Sequence, residues 1–311
     1  MNANTIAISV KGVKKAFKEK EVLQGVDITV ERGSIFALLG SNGAGKTTLI
    51  KLLATLLHPD CGEIIINGSD LQKAPEKIRE VISLTGQFAA TDEVLTGRKN
   101  LQLIGELNHL EKVNQRSEEL LKIFDLAEAA DKPVATYSGG MKRRLDIAMS
   151  IMSDPAIIFL DEPTTGLDPQ NRAAMWKLIR SLSDKGTTIF LTTQYLEEAE
   201  VLADKIAILN DGIIVQEGTA EELKQILPQG IIEFTFQDQS ELLLAKEIIS
   251  DFQTTKNEKN LTLTVITDGT IQQLTKIFNR INEVNVAISS FTQKLPTLED
   301  AFYLFIGEKG A

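Results

Sequence analysis

The sequence predicts an α/β domain with a mixed sheet, a helical insert and an antiparallel β edge, followed by a smaller α+β domain. Three observations carry that expectation. Short apolar runs alternate with amphipathic stretches through the first two thirds of the chain, one apolar run empties into a glycine-rich loop and then a helix, and the texture changes after Gly218.

Alternation over residues 6–10 and 22–30 reads as strands of the antiparallel edge. Residues 35–39, Ile-Phe-Ala-Leu-Leu, form a buried strand, and 47–57 form the helix after the loop, with Leu49, Ile50, Leu53, Leu56 and Leu57 at helical spacing. Residues 96–130 are polar and helical in period, an insert within the α/β core. Two more buried strands are expected at 157–160 and 187–191, with a helix at 171–184 between them. In the tail, 233–236, 261–266 and 284–291 read as strands and 240–249 and 270–281 as helices. The domain boundary is expected near Pro228, giving domains 1–227 and 228–311.

Composition narrows the function. The 311 residues carry 33 Lys and Arg against 43 Asp and Glu, a net charge of −10, which argues against binding a nucleic-acid backbone. Cys61 is the one cysteine, so no internal disulfide can form, in keeping with a reducing compartment. The apolar runs fall far short of the ~20 residues needed to cross hydrocarbon, and no secretory leader pattern opens the chain. A cytoplasmic protein is expected, its membrane role borrowed from a partner. His58 and His109 lack ligand spacing, so no metal other than Mg²⁺ is expected.

Gly40, Ser41, Asn42, Gly43, Ala44, Gly45, Lys46 and Thr47 match G-x-x-x-x-G-K-[ST] between a strand and a helix, with Thr48 next. The glycines let backbone N–H groups converge on phosphate oxygens, and the helix adds its positive end. Lys46 can reach the β- and γ-phosphates, and the Thr47 hydroxyl can ligate Mg²⁺. The buried strand over 156–160 ends in Asp161-Glu162. Asp161 is suited to hold Mg²⁺, and Glu162 to orient or deprotonate an attacking water.

Further motifs follow in a fixed order: Thr85-Gly-Gln87, Tyr137-Ser-Gly-Gly-Met141, Ile158-Phe-Leu-Asp-Glu-Pro163, Gly166-Leu-Asp168 and Thr192-Thr-Gln194-Tyr-Leu-Glu-Glu-Ala. With the phosphate loop, this series resembles the nucleotide-binding subunit of ATP-binding cassette (ABC) transporters over residues 6–221. The resemblance implies a P-loop ATPase with a helical subdomain at about 88–150. It implies that Gln87 touches Mg²⁺ and senses the membrane partner, and that Ser138, Gly139 and Gly140 form the signature that binds the γ-phosphate held by the opposite subunit. It implies that Asp168 communicates across the dimer and that Phe17 stacks on adenine. One phosphate loop and one signature per chain imply two copies, head to tail, enclosing two ATP molecules.

Two departures narrow the family. Met141 replaces the usual glutamine, and Gln194 stands where most members carry a histidine; a glutamine can donate a hydrogen bond but cannot carry a proton. Gly86-Gln-Phe-Ala-Ala-Thr-Asp-Glu93, Tyr137-Ser-Gly-Gly-Met141, the Gln194 segment and Pro296-Thr-Leu-Glu-Asp-Ala-Phe302 resemble the daunorubicin-resistance group of bacterial drug exporters. That group implies a separate transmembrane permease, catalysis by Glu162 with Lys46 and Gln194, and a location at the cytoplasmic face of the membrane. Two other readings stay open: a soluble non-transport ABC ATPase, and a regulatory ATP binder with weak turnover. Lys142-Arg-Arg144 reads as a helix face near phosphate, Glu197-Glu198 as a solvated helix turn, and Trp176 as packing. The tail is expected to dimerise or regulate.

Overall fold

The computed structural model describes residues 5–86, 91–227, 230–284 and 286–307. The chain divides into two compact units, Met1–Ala220 and Glu221–Ala311. The division lies ahead of the boundary expected after residue 227.

In the first unit, β1 (Ile6–Phe17) and β2 (Lys20–Glu31) form a long antiparallel hairpin. Alternation there buries Ile8, Val10, Val13, Leu23, Val26, Ile28 and Val30 on one side. β3 (Ile35–Leu39), buried throughout, runs into the glycine loop and α1 (Lys46–Leu53). That helix stops short of the expected residue 57 as Thr55 turns into the left-handed region (φ 60°). β4 (Cys61–Ile66) pairs with β1 and the two-residue β5 (Ser69–Asp70) with β4, completing a four-stranded antiparallel sheet of order β2-β1-β4-β5. Short α2 (Pro75–Arg79) leads to β6 (Ile82–Thr85).

The helical insert follows. It comprises α3 (Gly97–Leu107), capped by the Thr96 side chain accepting from the Lys99 N–H, and α4 (Val113–Ile123), then two short 3₁₀ turns and α5 (Gly139–Ser150). The chain returns to the core with β7 (Ile157–Asp161), α6 (Pro169–Ser183), β8 (Thr188–Thr193), α7 (Leu196–Leu202), β9 (Lys205–Asn210) and β10 (Ile213–Gly218). The central sheet has the order β10-β9-β3-β8-β7-β6, parallel except for the β9–β10 hairpin. β3, β7 and β8 are wholly buried, so they read as continuous apolar runs. Their carboxyl ends deliver Gly40, Glu162 and Gln194 to one edge of the sheet, where α/β proteins bind ligands.

The second unit opens with α8 (Ala220–Gln225) and continues β11 (Gly230–Phe236), α9 (Gln239–Ile248), β12 (Thr254–Asn257), β13 (Thr262–Thr267), α10 (Ile271–Glu283), β14 (Ile288–Lys294) and α11 (Leu298–Ile306). Its antiparallel sheet has the order β12-β13-β11-β14, and Ile232, Phe234, Phe236, Leu263 and Val265 pack against Leu242, Ala245, Ile277 and Ile281 of the two helices. Two details differ from the sequence expectation. Val284 closes α10 and the last strand starts only at Ile288, while β12, polar and largely exposed, gives no apolar alternation to read.

Among the described residues, no helix is long and apolar enough to cross a membrane.

Candidate nucleotide site

The phosphate loop wraps a cleft of about 380 Å³ lined by Val22, Asn42, Gly43, Thr47, Thr48, Glu162 and Gln194 among others. Gly40, Ser41, Asn42, Gly43, Ala44 and Gly45 join β3 to α1. Two glycines there are dictated by space. At Gly45 φ is +114°, and a Cβ would lie 2.9 Å from Leu23 Cδ2; at Gly40 a Cβ would lie 2.5 Å from the Leu209 carbonyl oxygen.

Lys46 is buried, its Nζ donating to the carbonyls of Gly40 (2.8 Å) and Ser41 (3.1 Å) and facing Glu162 Oε1 at 3.8 Å. Burial lowers the ammonium pKa, while the charges of Glu162 and then Asp161 act in the opposite direction. Thr47 Oγ1 lies 3.5 Å from Asp161 Oδ1, which also accepts from Thr192 Oγ1 at 2.6 Å. A hydroxyl and a buried carboxylate facing each other beside a phosphate loop are hard oxygen donors, the set that suits Mg²⁺ supplemented by phosphate and water.

Glu162 adopts a left-handed backbone (φ 49°), a conformation that costs a non-glycine residue about 1–2 kcal/mol and persists only where neighbours enforce it. Its N–H donates to Thr192 O (3.1 Å) and Oγ1 (3.2 Å), and Thr165 Oγ1 donates to its Oε2 (3.1 Å). The carboxylate therefore turns toward Lys46. Gln194, just beyond β8, lines the same cleft.

Ser138, Gly139, Gly140, Asp168 and Phe17 lie elsewhere on this unit. Ser138 caps α5, its Oγ accepting from the Met141 N–H at 3.2 Å, and Ser138 and Gly139 are exposed. Gly140 is buried against Asn171, whose Oδ1 a Cβ would approach to 2.7 Å. Tyr137 is buried and donates its hydroxyl to Ala129 O (2.7 Å), fixing the turn to the insert. Asp168 caps α6, and the Asn171 backbone N–H and side-chain amide hold its carboxyl below the usual range. Phe17 ends β1, 46% exposed, with Lys15 Nζ 5.6 Å from its ring centre. It is not among the residues lining the cleft, whereas Val22 is. Gln87 lies outside the described residues.

Two sequence expectations are corrected. Glu198 is fully buried rather than solvated: its Oε1 accepts from Thr164 Oγ1 (2.7 Å) and from Trp176 Nε1 (3.2 Å), so Trp176 bonds as well as packs. Burial raises the Glu198 pKa, opposed by the hydroxyls of Thr193 and Thr164 and by the indole. The helical turn Leu196–Leu202 puts residue 198 on the inner face with Ala199 and Leu202, a period visible in the sequence but outweighed there by the charge of the Glu pair. Arg143, expected on a phosphate-facing surface, is instead buried among backbone carbonyls, while Lys142 pairs with Glu93 and Arg144 with Asp125.

Residues 23–165 match the ABC transporter family. The chain is 42% identical over 305 residues to the daunorubicin resistance ATP-binding protein DrrA3 of Streptomyces coeruleorubidus, covering 97% of this chain and 96% of that one. It is 39% identical over 311 residues to the doxorubicin resistance ATP-binding protein DrrA of Mycobacterium tuberculosis, covering 97% and 94%. A Nod factor export ATP-binding protein of Ralstonia nicotianae is 39% identical over 222 residues, 71% of this chain and 69% of that one. Among solved structures, an ATP-binding subunit of an ABC transporter matches with TM-score 0.64 and 32% identity over 71% of this chain and 92% of its own. A dimeric ATP-binding cassette in a post-hydrolysis state with ADP and Pi matches with TM-score 0.62 and 25% identity, over 68% and 98%. The chain thus belongs to the ABC transporter family, as an ATP-hydrolysing, ATP-binding subunit of the daunorubicin-resistance group.

Proposed function

We propose that this subunit powers export of a drug-like, antibiotic or lipid-like compound through a separate transmembrane permease, working as an ATP-closed homodimer at the cytoplasmic face of the membrane. The observation that carries the reading is the approach of Glu162 to Lys46 within the phosphate-loop cleft, which also holds Gln194.

In this reading the N–H groups of 40–46 and Lys46 bind the phosphates of ATP, and the β–γ bond lies beside Glu162. Glu162 accepts a proton from water as that water attacks the γ-phosphorus, the bond to the β–γ bridging oxygen breaks and ADP leaves, while Gln194 donates a hydrogen bond to the γ-oxygens. Thr47, Asp161 and Gln87 would hold Mg²⁺, which neutralises phosphate charge. The Ser138–Gly140 turn, with its free N–H groups at a helix start, caps the γ-phosphate of the partner copy. Two ATP molecules close the dimer and hydrolysis reopens it, so the attached permease alternates between access states. Phe17 supports the adenine, Asp168 lies at the dimer seam, and residues 228–311 serve as a dimerisation or regulatory module.

Affinity capture of tagged Glu162→Gln protein from solubilised membranes of the source cell, in ATP, tests the reading. Recovery of a stoichiometric multi-span protein is expected. Recovery of ribosomes or DNA-repair proteins with no membrane partner would contradict it.

A further inference from the structure

Arg143 lies in the helix that Ser138 caps, and it is 8% exposed. Every nitrogen of its guanidinium donates to the chain itself, two of the three to the 161–163 segment. Nε donates to Pro163 O (2.9 Å), Nη2 to Asp161 O (3.1 Å) and Glu162 O (3.4 Å), and Nη1 to Gly86 O (2.6 Å) and Asp146 Oδ2 (3.2 Å). Three successive carbonyls, 161 to 163, thus converge on one planar fork, and a fourth lies immediately before Gln87.

The middle of those three residues is Glu162, whose left-handed backbone needs enforcement from outside. Thr192 fixes its N–H side, and Arg143 fixes its carbonyl side. A guanidinium is suited to this because its donors diverge in a rigid plane, which a lysine ammonium on a flexible stem cannot reproduce. Burying the charge is tolerable because Asp146 pairs with it and the carbonyl dipoles fill its remaining donors.

We propose that Arg143 is a positioning residue for the reaction: it holds Glu162 in its left-handed conformation, aimed at the cleft, and fastens it to the helix that begins at the Ser138–Gly140 turn. The inference rests on the reading of Glu162 as the base.

A double-mutant cycle on the full chain tests it, using Arg143→Lys and Glu162→Gln singly and together, with single-turnover ATP hydrolysis and separate equilibrium binding of a fluorescent ATP analogue. A displacement near 1 Å of a catalytic group can cost about 10²-fold, so Arg143→Lys is expected to lose about 10- to 100-fold in rate with nucleotide affinity within about two-fold. That loss should largely vanish in the Glu162→Gln background, because both changes act through one group. Asp146→Asn, which leaves the carbonyl bonds of Arg143 in place, should show a smaller loss in the same pattern and serves if Arg143→Lys does not fold. An unchanged rate in folded Arg143→Lys, affinity falling together with rate, or losses that multiply in the double variant would each overturn the proposal. Undiminished hydrolysis by Glu162→Gln would instead overturn the role of Glu162 itself, and the proposal with it.

Discussion

The phosphate loop and the Ser138–Gly140 turn both run into helix starts, yet the two are built in opposite ways. At the loop the charged groups are buried and mutually engaged: Lys46 and Asp161 are each 5% exposed, and Lys46, Glu162, Thr165, Thr192 and Asp161 form one connected set. At the turn Ser138 and Gly139 are exposed, and the one side chain involved caps its own helix. The loop is preorganised by side chains of the chain itself, whereas the turn is exposed backbone held by one cap. Under the proposed function, a single copy holds the means to bind and polarise phosphate within its loop and leaves the Ser138–Gly140 end exposed for a partner. A second copy in head-to-tail array would join the two halves, by a two-fold, isologous pairing in which each copy's loop meets the other's turn.

Breaking the internal half should have the largest effect. Lys46→Ala removes the cation that the loop carbonyls and Glu162 surround, and ATP hydrolysis should fall by at least about 10³-fold in a phosphate-release assay. Retained turnover would refute the phosphate-loop assignment. Glu162→Gln should slow hydrolysis by about 10²- to 10⁴-fold while nucleotide still binds, so that an ATP-bound dimer accumulates on gel filtration.

Breaking the exposed half sharpens the contrast, because there binding and dimer closure should separate. Gly140→Ala forces a Cβ into Asn171, and it should lower hydrolysis roughly ten-fold while leaving ATP affinity of the monomer unchanged. Loss of monomer affinity would show the turn belongs to the same half as the loop. Gln194→His should change turnover by no more than a few-fold, since either side chain can donate to a γ-oxygen; full inactivation would mean the segment after β8 serves another purpose.

The smallest effect concerns stability. Burial raises the Glu198 pKa in the folded state above its unfolded value, so the stability linked to its proton is present below the unfolded pKa and drains away as pH rises through the folded one. Glu198→Gln keeps an acceptor for Thr164 and Trp176 without that proton. Its thermal midpoint should therefore gain on the parent as pH rises from 5 to 8, as followed by circular dichroism; a constant difference would show that Glu198 does not titrate in this range.

Most of the first unit was legible in the sequence because its signals are local. A buried parallel strand is a run such as Ile-Phe-Ala-Leu-Leu, and a phosphate loop is a spacing. What escaped was tertiary. Arg143 looks like the surface residue its neighbours Lys142 and Arg144 are, and only the fold brings Gly86 and the 161–163 carbonyls around it. Glu198 lies beside solvated Glu197, and its burial depends on Thr164 and Trp176 arriving from elsewhere. The strained φ of Glu162 has no sequence signal at all, since left-handed positions announce themselves only through glycine or asparagine. In the second unit β12 was missed because an exposed polar edge strand carries no alternation.

The central claim, a site shared between two copies, is tested most directly by mixing two inactive variants. Lys46→Ala spoils the loop half and Ser138→Arg the exposed half. In a head-to-tail heterodimer one site combines both lesions and the other combines two intact halves. Mixing equal amounts should therefore restore about a quarter of the wild-type rate, from half the dimers each carrying one good site. A mixture as inactive as either variant alone would contradict the shared site.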